Sequence, residues 1–310
     1  MEIPILRHTR HFTIVNKPPL VYSQVNHATP KFGRTSGPVQ DKQLTLLDLL
    51  ARSHPDLFPE KPEAPFTEPK LVHRLDYGVS GAMVVATSLQ AARNFSKNLK
   101  LGGDKGWQLK KTVGSQSSAN VCFANNRQYL AIVAPERNSP LRLGRIVSSP
   151  PEDIALNTDN SYISGTISRS LLFDKAPEPL EAVTKFEVLE FLGNGKILLA
   201  LEPVTGRKHQ LRRHCAYVLQ APIVGDVRYR YGADHYYQPG GASQCIALHS
   251  WRLDFKTGLH WDAVTAPILW GVNDFWAGVV DPTTNEVYRN LWPGALRTGT
   301  ISSDRVTDSS

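Results

Sequence analysis

The chain has 310 residues, 41% of them hydrophobic, and carries a net charge of +7 with a pI near 9.3. That length supports a substantial core in one large domain or two small ones, and the basic balance favours a polyanionic partner. There is no run of about 18 apolar residues for a spanning helix, no apolar signal stretch at the start, and no CxxC pair among the three cysteines, which fits reduced thiols in an intracellular compartment rather than a zinc or disulfide scaffold.

The first eight residues lead straight into a strand-like run, leaving little room for a long transit peptide. Residues 11–15, HFTIV, are β-branched and aromatic and predict a strand; the proline pair at 18–19 ends it, because proline offers no ladder donor. Residues 20–40 are polar and dotted with Gly and Pro, a loop, and residues 43–52 place leucines at helical spacing. A Pro-rich stretch over 55–69 leads into LVHRLD at 71–76, then YGVSG and the apolar strand AMVVA at 82–86. Ser88 is the expected N-cap of a helix whose apolar stripe is Leu89, Ala92, Phe95 and Leu99. Arg93, Lys97 and Lys100 lie off that stripe.

Residues 112–126 are low in charge and rich in Ser, Asn and Gly, with no period, and read as an insertion. A strand follows over 128–133, then a loop-like region over 134–180 with one strand near 162–167. Residues 182–191 and 196–201 predict a hairpin turning at Gly193-Asn194-Gly195. Leu211, Cys215 and Val218 form a helical stripe behind the basic run GRKHQLR at 206–212. A further strand spans 246–255, and residues from about 298 on are polar enough to predict a disordered tail. Strands outnumber helices without alternating with them, which argues α+β with a mixed or antiparallel sheet.

Asp76 stands out as an acid beside His73 and Arg74, with Gly78 and Gly81 allowing close approach of backbone or ligand. A carboxylate there serves a turn, or it serves as a nucleophile or base kept ionised by a nearby arginine. Two basic runs follow it in sequence, residues 93–111 and 207–230, each with one acid. No Gly-rich phosphate loop and no metal-spaced His/Asp set occurs, so no metal site is expected.

The HRLD motif at 73–76 followed by Gly78 and Gly81 resembles the catalytic signature of RluA-type pseudouridine synthases. Four other stretches agree in order: IVNKP at 14–18, YLAIV at 129–133, TGRKHQLRRH at 205–214 with PIVGD at 222–226, and Leu248-His249. The resemblance implies the pseudouridine synthase fold, with a central mixed, mainly antiparallel sheet flanked by helices and loops, and a catalytic domain over residues 10–295. Family members often carry a short N-terminal RNA-binding domain; here the catalytic domain begins by about residue 10, a departure by which none is expected. It implies isomerisation of a uridine in rRNA or tRNA by a monomer with no cofactor, no metal and no membrane partner.

By the same resemblance Asp76 is the catalytic aspartate, as nucleophile or in glycal formation. Arg212 pairs with it, and Tyr129 stacks on the target base. Leu248 walls the base pocket, and Arg74 fills the place of the flipped base. Phosphate contact is expected of Arg207 and Lys208, with Arg213 and His214 read the same way, whereas Asp226 reads as structural. In the family a basic strand runs directly into the tyrosine segment, so residues 112–126 depart from the pattern as a looped-out insertion or a gene-model artefact. A catalytically inactive RNA-binding or ribosome-assembly protein on the same fold is the competing reading. Mitochondrial and cytoplasmic locations both fit.

Overall fold

The computed structural model describes residues 1–24, 44–59, 66–100, 121–141, 152–159, 162–173, 177–230, 245–258, 260–271 and 275–293. The chain divides into two compact units, one formed by residues 1–126, 243–245 and 252–266, the other by residues 127–242, 246–251 and 267–310. The expected tail over 296–310 and residues 112–120 of the expected insertion lie outside the described residues.

In the first unit, β1 (Ile5–His8) pairs antiparallel with β2 (Phe12–Lys17), and β2 with β4 (Ser80–Ser88). β3 (Phe66–Leu71) pairs with β4 on a register that shifts between Phe66 and Lys70, where Pro69 has no N–H to give a ladder. β2 is buried along its whole length and β4 nearly so, so neither alternates between buried and exposed positions, and the Thr13, Asn16 and Lys17 side chains of β2 are buried with its apolar ones. β1 and β3 are additions to the sequence expectation: one is a short, mostly exposed edge, and the other lay hidden in Pro-rich sequence.

Among the described residues of this unit, two α-helices pack. α1 (Leu46–Ser53) starts at Thr45, whose hydroxyl accepts from the Asp48 amide while the Asp48 carboxylate accepts from the Thr45 amide, a reciprocal capping box. α2 (Leu89–Lys100) starts where Ser88 predicts, with Ser88 Oγ accepting from the Ala91 amide at 3.3 Å. Phe95 on α2 and Phe255 on β10 (Leu248–Thr257) each meet Phe12 edge-on at 5.4 Å, and Val121 joins the same core. The C-terminal half of β10 pairs with β11 (His260–Thr265), from Arg252 opposite Thr265 to Thr257 opposite His260.

Among the described residues of the second unit, strands pair antiparallel in the order β5, β9, β8, β7, β6. Its strands are β5 (Val121–Val133, of which Arg127 onward belongs here), β6 (Ile154–Asp159), β7 (Tyr162–Ser168), β8 (Val183–Phe191) and β9 (Ile197–Pro203). The β8–β9 hairpin turns through Gly193–Gly195, with Asn194 at φ 62° and Gly195 at φ 71°, the left-handed geometry that an Asn-Gly pair supplies.

β5 corrects one boundary. It begins at Val121, so the last six residues of the 112–126 segment belong to the tyrosine strand, and Val121 and Cys122 are buried. A Ser/Asn-rich flank hid the apolar residues that start it. The helical stripe after residue 206 is short: α3 (Gln210–Arg213) passes into a π-turn over His214–Val218, and α4 (Val227–Arg230) follows. Cys122 and Cys215 are buried, Cys245 is half-buried, and none is in a disulfide.

Candidate functional site

The first unit builds the surroundings of Asp76. The chain leaves β3 at Leu71 and re-enters the sheet at Ser80, and the Val79 amide donates to the Asp76 carbonyl at 3.1 Å to close the turn between them. Each neighbour is tied to the backbone. Ser23 Oγ donates to the Leu75 carbonyl at 2.7 Å and accepts from the Leu75 amide at 3.2 Å. His73 Nε2 accepts from the Val84 amide at 2.9 Å, and the Tyr77 carbonyl accepts from the Leu20 amide at 2.7 Å. The rings of Tyr22 and Tyr77 lie 4.4 Å apart. Asp76 is half-buried on this frame and Arg74 is exposed.

Lys17 is the residue that sequence reading passed over. It ends β2, is fully buried, and its Nζ donates to the carbonyls of Pro18 at 2.7 Å and Val21 at 2.9 Å. Burial pushes its pKa down to about 7, with Asp76 and then Cys245 pulling it back up. Its β4 partner is Gly81 at φ 115°, a conformation that glycine adopts without a Cβ clash. A lysine closing a wholly buried strand was the available signal.

The second unit carries the other candidates. Tyr129 is buried on β5 opposite Leu201, and Leu248 is buried at the start of β10. Beside them, the Ile132 amide donates to the Ala247 carbonyl at 3.0 Å. Arg212 is buried in a bidentate pair with Asp226, Nε to Oδ2 at 2.6 Å and Nη2 to Oδ1 at 2.8 Å. Its guanidinium lies 5.0 Å from the ring centre of Tyr229.

The basic motif is held mostly by main-chain and buried polar groups. Gln210 is buried with every polar function used: its Nε2 donates to the Val183 carbonyl and Thr184 Oγ1, and its Oε1 accepts from Thr205 Oγ1 and the Arg207 amide. Arg207 is exposed, and its Nε donates to the Glu181 carbonyl at 2.9 Å. Arg213 donates to the Leu172 carbonyl at 3.1 Å, and Lys208 is exposed. His214 corrects its expected phosphate contact. It is fully buried, with Nδ1 on Thr184 Oγ1 and Nε2 on the Arg169 carbonyl, and burial lowers its pKa, which disfavours the charged form a phosphate contact would use. Among the described residues, no cluster of three or more His, Cys, Asp or Glu is arranged to hold a metal ion.

The family model described as RNA pseudouridylate synthase matches residues 11–217. The chain is 34% identical over 185 residues to RNA pseudouridine synthase 4, mitochondrial, of Arabidopsis thaliana, a match covering 57% of this chain and 34% of that protein. It is 27% identical over 304 residues to the 21S rRNA pseudouridine(2819) synthase of Kluyveromyces lactis, covering 96% of this chain and 81% of that one. The Saccharomyces cerevisiae protein of the same name is 28% identical over 268 residues, covering 83% of this chain and 81% of the relative. Among solved structures, human RNA Pseudouridylate Synthase Domain Containing 1 superposes with a TM-score of 0.50 at 21% identity, covering 86% of this chain and 83% of that one.

Proposed function

Because the chain belongs to the RNA pseudouridylate synthase family, we propose that it converts a uridine of structured RNA into pseudouridine. The N1–C1′ bond of the uridine breaks, the uracil turns, C5 bonds to C1′, and the C5 proton leaves as N1 gains one. No cofactor enters this balance. The family match spans the positions of Asp76, Tyr129 and Arg212 alike, and that observation carries the reading.

In this reading Asp76 acts at the sugar, as nucleophile at C1′ or in forming a glycal. Arg212 pairs with it and keeps it ionised. Tyr129 stacks on the uracil and Leu248 walls the base, while Arg74, exposed on the loop beside Asp76, takes the flipped base's place in the RNA. The exposed side chains of Arg207 and Lys208 meet phosphates. The protein acts as a monomer.

The substrate class we propose is the large ribosomal RNA of the mitochondrion. Two fungal relatives are named as 21S rRNA synthases, and the plant relative is named as mitochondrial. The test compares RNA from knockout and parent cells with a pseudouridine-specific chemical probe, and repeats the comparison with purified protein on the same transcripts. Loss of one or a few mitochondrial rRNA stops in the knockout, restored by the wild type and not by Asp76→Asn, is the expected result. An unchanged pattern in all RNA fractions, with no product from pure protein, favours an inactive RNA-binding protein instead.

A further inference from the structure

Arg212 is gripped from more sides than a surface arginine. Asp226 takes the Nε–Nη2 edge of the guanidinium with both carboxylate oxygens, at 2.6 and 2.8 Å, and the two side chains are 9% and 1% exposed. Side-on pairing of this kind fixes the plane and rotamer of the guanidinium, because two parallel bonds leave it one orientation.

The second grip is Tyr229. Its ring centre lies 5.0 Å from the Arg212 guanidinium. The ring is held in turn by a 2.6 Å hydrogen bond between its hydroxyl and His209 Nδ1. His209 sits at φ 54°, a conformation that costs energy for a residue with a Cβ and persists where the surroundings hold it. The two grips are also joined. The Tyr229 amide meets Asp226 Oδ1 at 3.4 Å, so the carboxylate that pairs with Arg212 also caps the short helix carrying the tyrosine. The charged and titratable groups around the Tyr229 ring include Arg212, Arg213, Arg228, Asp226, His209 and Tyr217, whose ring meets it edge-on at 5.8 Å.

We propose that Asp226 and Tyr229 are positioning residues for Arg212: Asp226 sets its rotamer, Tyr229 covers one face of it, and together they hold the guanidinium in one orientation for the reaction. This rests on the reading above in which Arg212 pairs with Asp76. A guanidinium free to turn about its own stem would present its charge diffusely. One clamped along its Nε–Nη2 edge presents its charge in a single orientation.

The experiment measures kcat, KM and the pH profile of kcat for the full-length wild type, Asp226→Asn, Tyr229→Leu, Tyr229→Phe and Asp76→Asn on one RNA, with melting temperatures for all. Val188→Ala, a buried β8 substitution remote in sequence from these residues, serves as the control for destabilisation alone. Asp226→Asn and Tyr229→Leu are expected to lower kcat about 10- to 100-fold with KM within about threefold. They also move the acid limb of the kcat profile to higher pH, because a displaced Arg212 holds Asp76 ionised less well. Tyr229→Phe keeps the ring and loses only the His209 bond, so it falls between Tyr229→Leu and wild type. The control is expected to leave the acid limb in place. Should Asp226→Asn not fold, the two Tyr229 variants carry the test.

An active wild type, an inactive Asp76→Asn, and Tyr229→Leu with unchanged kcat and acid limb would overturn the positioning role and leave the proposed function standing. A wild type that makes no pseudouridine overturns both.

Discussion

A buried ammonium group is costly, and Lys17 meets that cost with two carbonyls and the nearby Asp76 charge. Its pKa in the fold is about 7, well below the unfolded value of 10.5. The sign follows from proton counting. Below pH 7 both states are protonated and the full burial penalty is present; between 7 and 10.5 only the unfolded state keeps the proton, so stability contributed at this site rises with pH. Denaturant melts of wild type and Lys17→Met at pH 7 and pH 9 are expected to show the wild type gaining about 2 kcal/mol on the variant over that interval. A constant difference would mean that Lys17 stays charged throughout. At Asp76, substitution by Asn keeps the shape and removes the carboxylate. The expected outcome is a loss of pseudouridine formation on the order of 10³-fold or more, with RNA affinity retained within about threefold by filter binding. Both residues lie in stretches that the sequence made visible, but to different degrees. Asp76 announced itself by its neighbours in the chain. The Lys17 environment did not, because Val21 and Asp76 reach it only through the fold, and the same holds for the pairing of Arg212 with Asp226, 14 residues on.

At the scale of elements, β5 and β7 give the sharpest tests. Deleting residues 112–126 removes Val121, fully buried in the Phe12–Phe95–Phe255 core, together with buried Cys122. Losing one buried valine alone costs about 1.5–3 kcal/mol, so this deletion is expected to lower the melting temperature clearly, whereas a deletion that stops at residue 120 spares the strand. Gly165 on β7 is the second test. A Cβ there would lie 2.6 Å from the Ala155 carbonyl oxygen and 2.8 Å from the Phe186 ring, backbone on one side and a buried aromatic on the other. Gly165→Ala is therefore expected to destabilise by about 1–3 kcal/mol in urea melts. Strong local signals made several elements legible beforehand: the Ser88 cap, the Asn-Gly hairpin turn and the leucine spacing of α1. β1, β3, β6 and β11 were not legible, for different reasons. Exposed edge strands such as β1 have little apolar pattern, and a proline inside β3 argues against a strand until a register shift accommodates it. The π-turn at His214–Val218 keeps the apolar stripe but not the period of an ordinary helix.

For the whole molecule, a net charge of +7 makes salt the natural probe. α2 exposes Arg93 and Lys97, and α4 exposes Arg228 and Arg230. Replacing either pair by Gln is expected to weaken RNA binding and to reduce the slope of log K against log salt by about 1 to 2, through counterions no longer released. An unchanged slope in both double variants would assign these residues to ordinary solvated faces. Composition made this basic character plain, but it could not say which cations would be committed inside. Arg212 is buried against Asp226, and Arg213 gives a hydrogen bond to a main-chain carbonyl, so part of the basic motif also serves the architecture.

The unequal burial of the three thiols has a practical side. Cys122 and Cys215 are enclosed, and burial pushes the Cys215 thiol far above its ordinary pKa, so neither presents a thiolate to a reagent. Cys245 is half-exposed and lies, like Asp76, within electrostatic reach of Lys17. A maleimide dye added to the native protein is thus directed to one position per molecule without any engineered cysteine. Intact mass measurement should find a single adduct, and the emission of that dye becomes a real-time signal for RNA arriving at the aspartate loop.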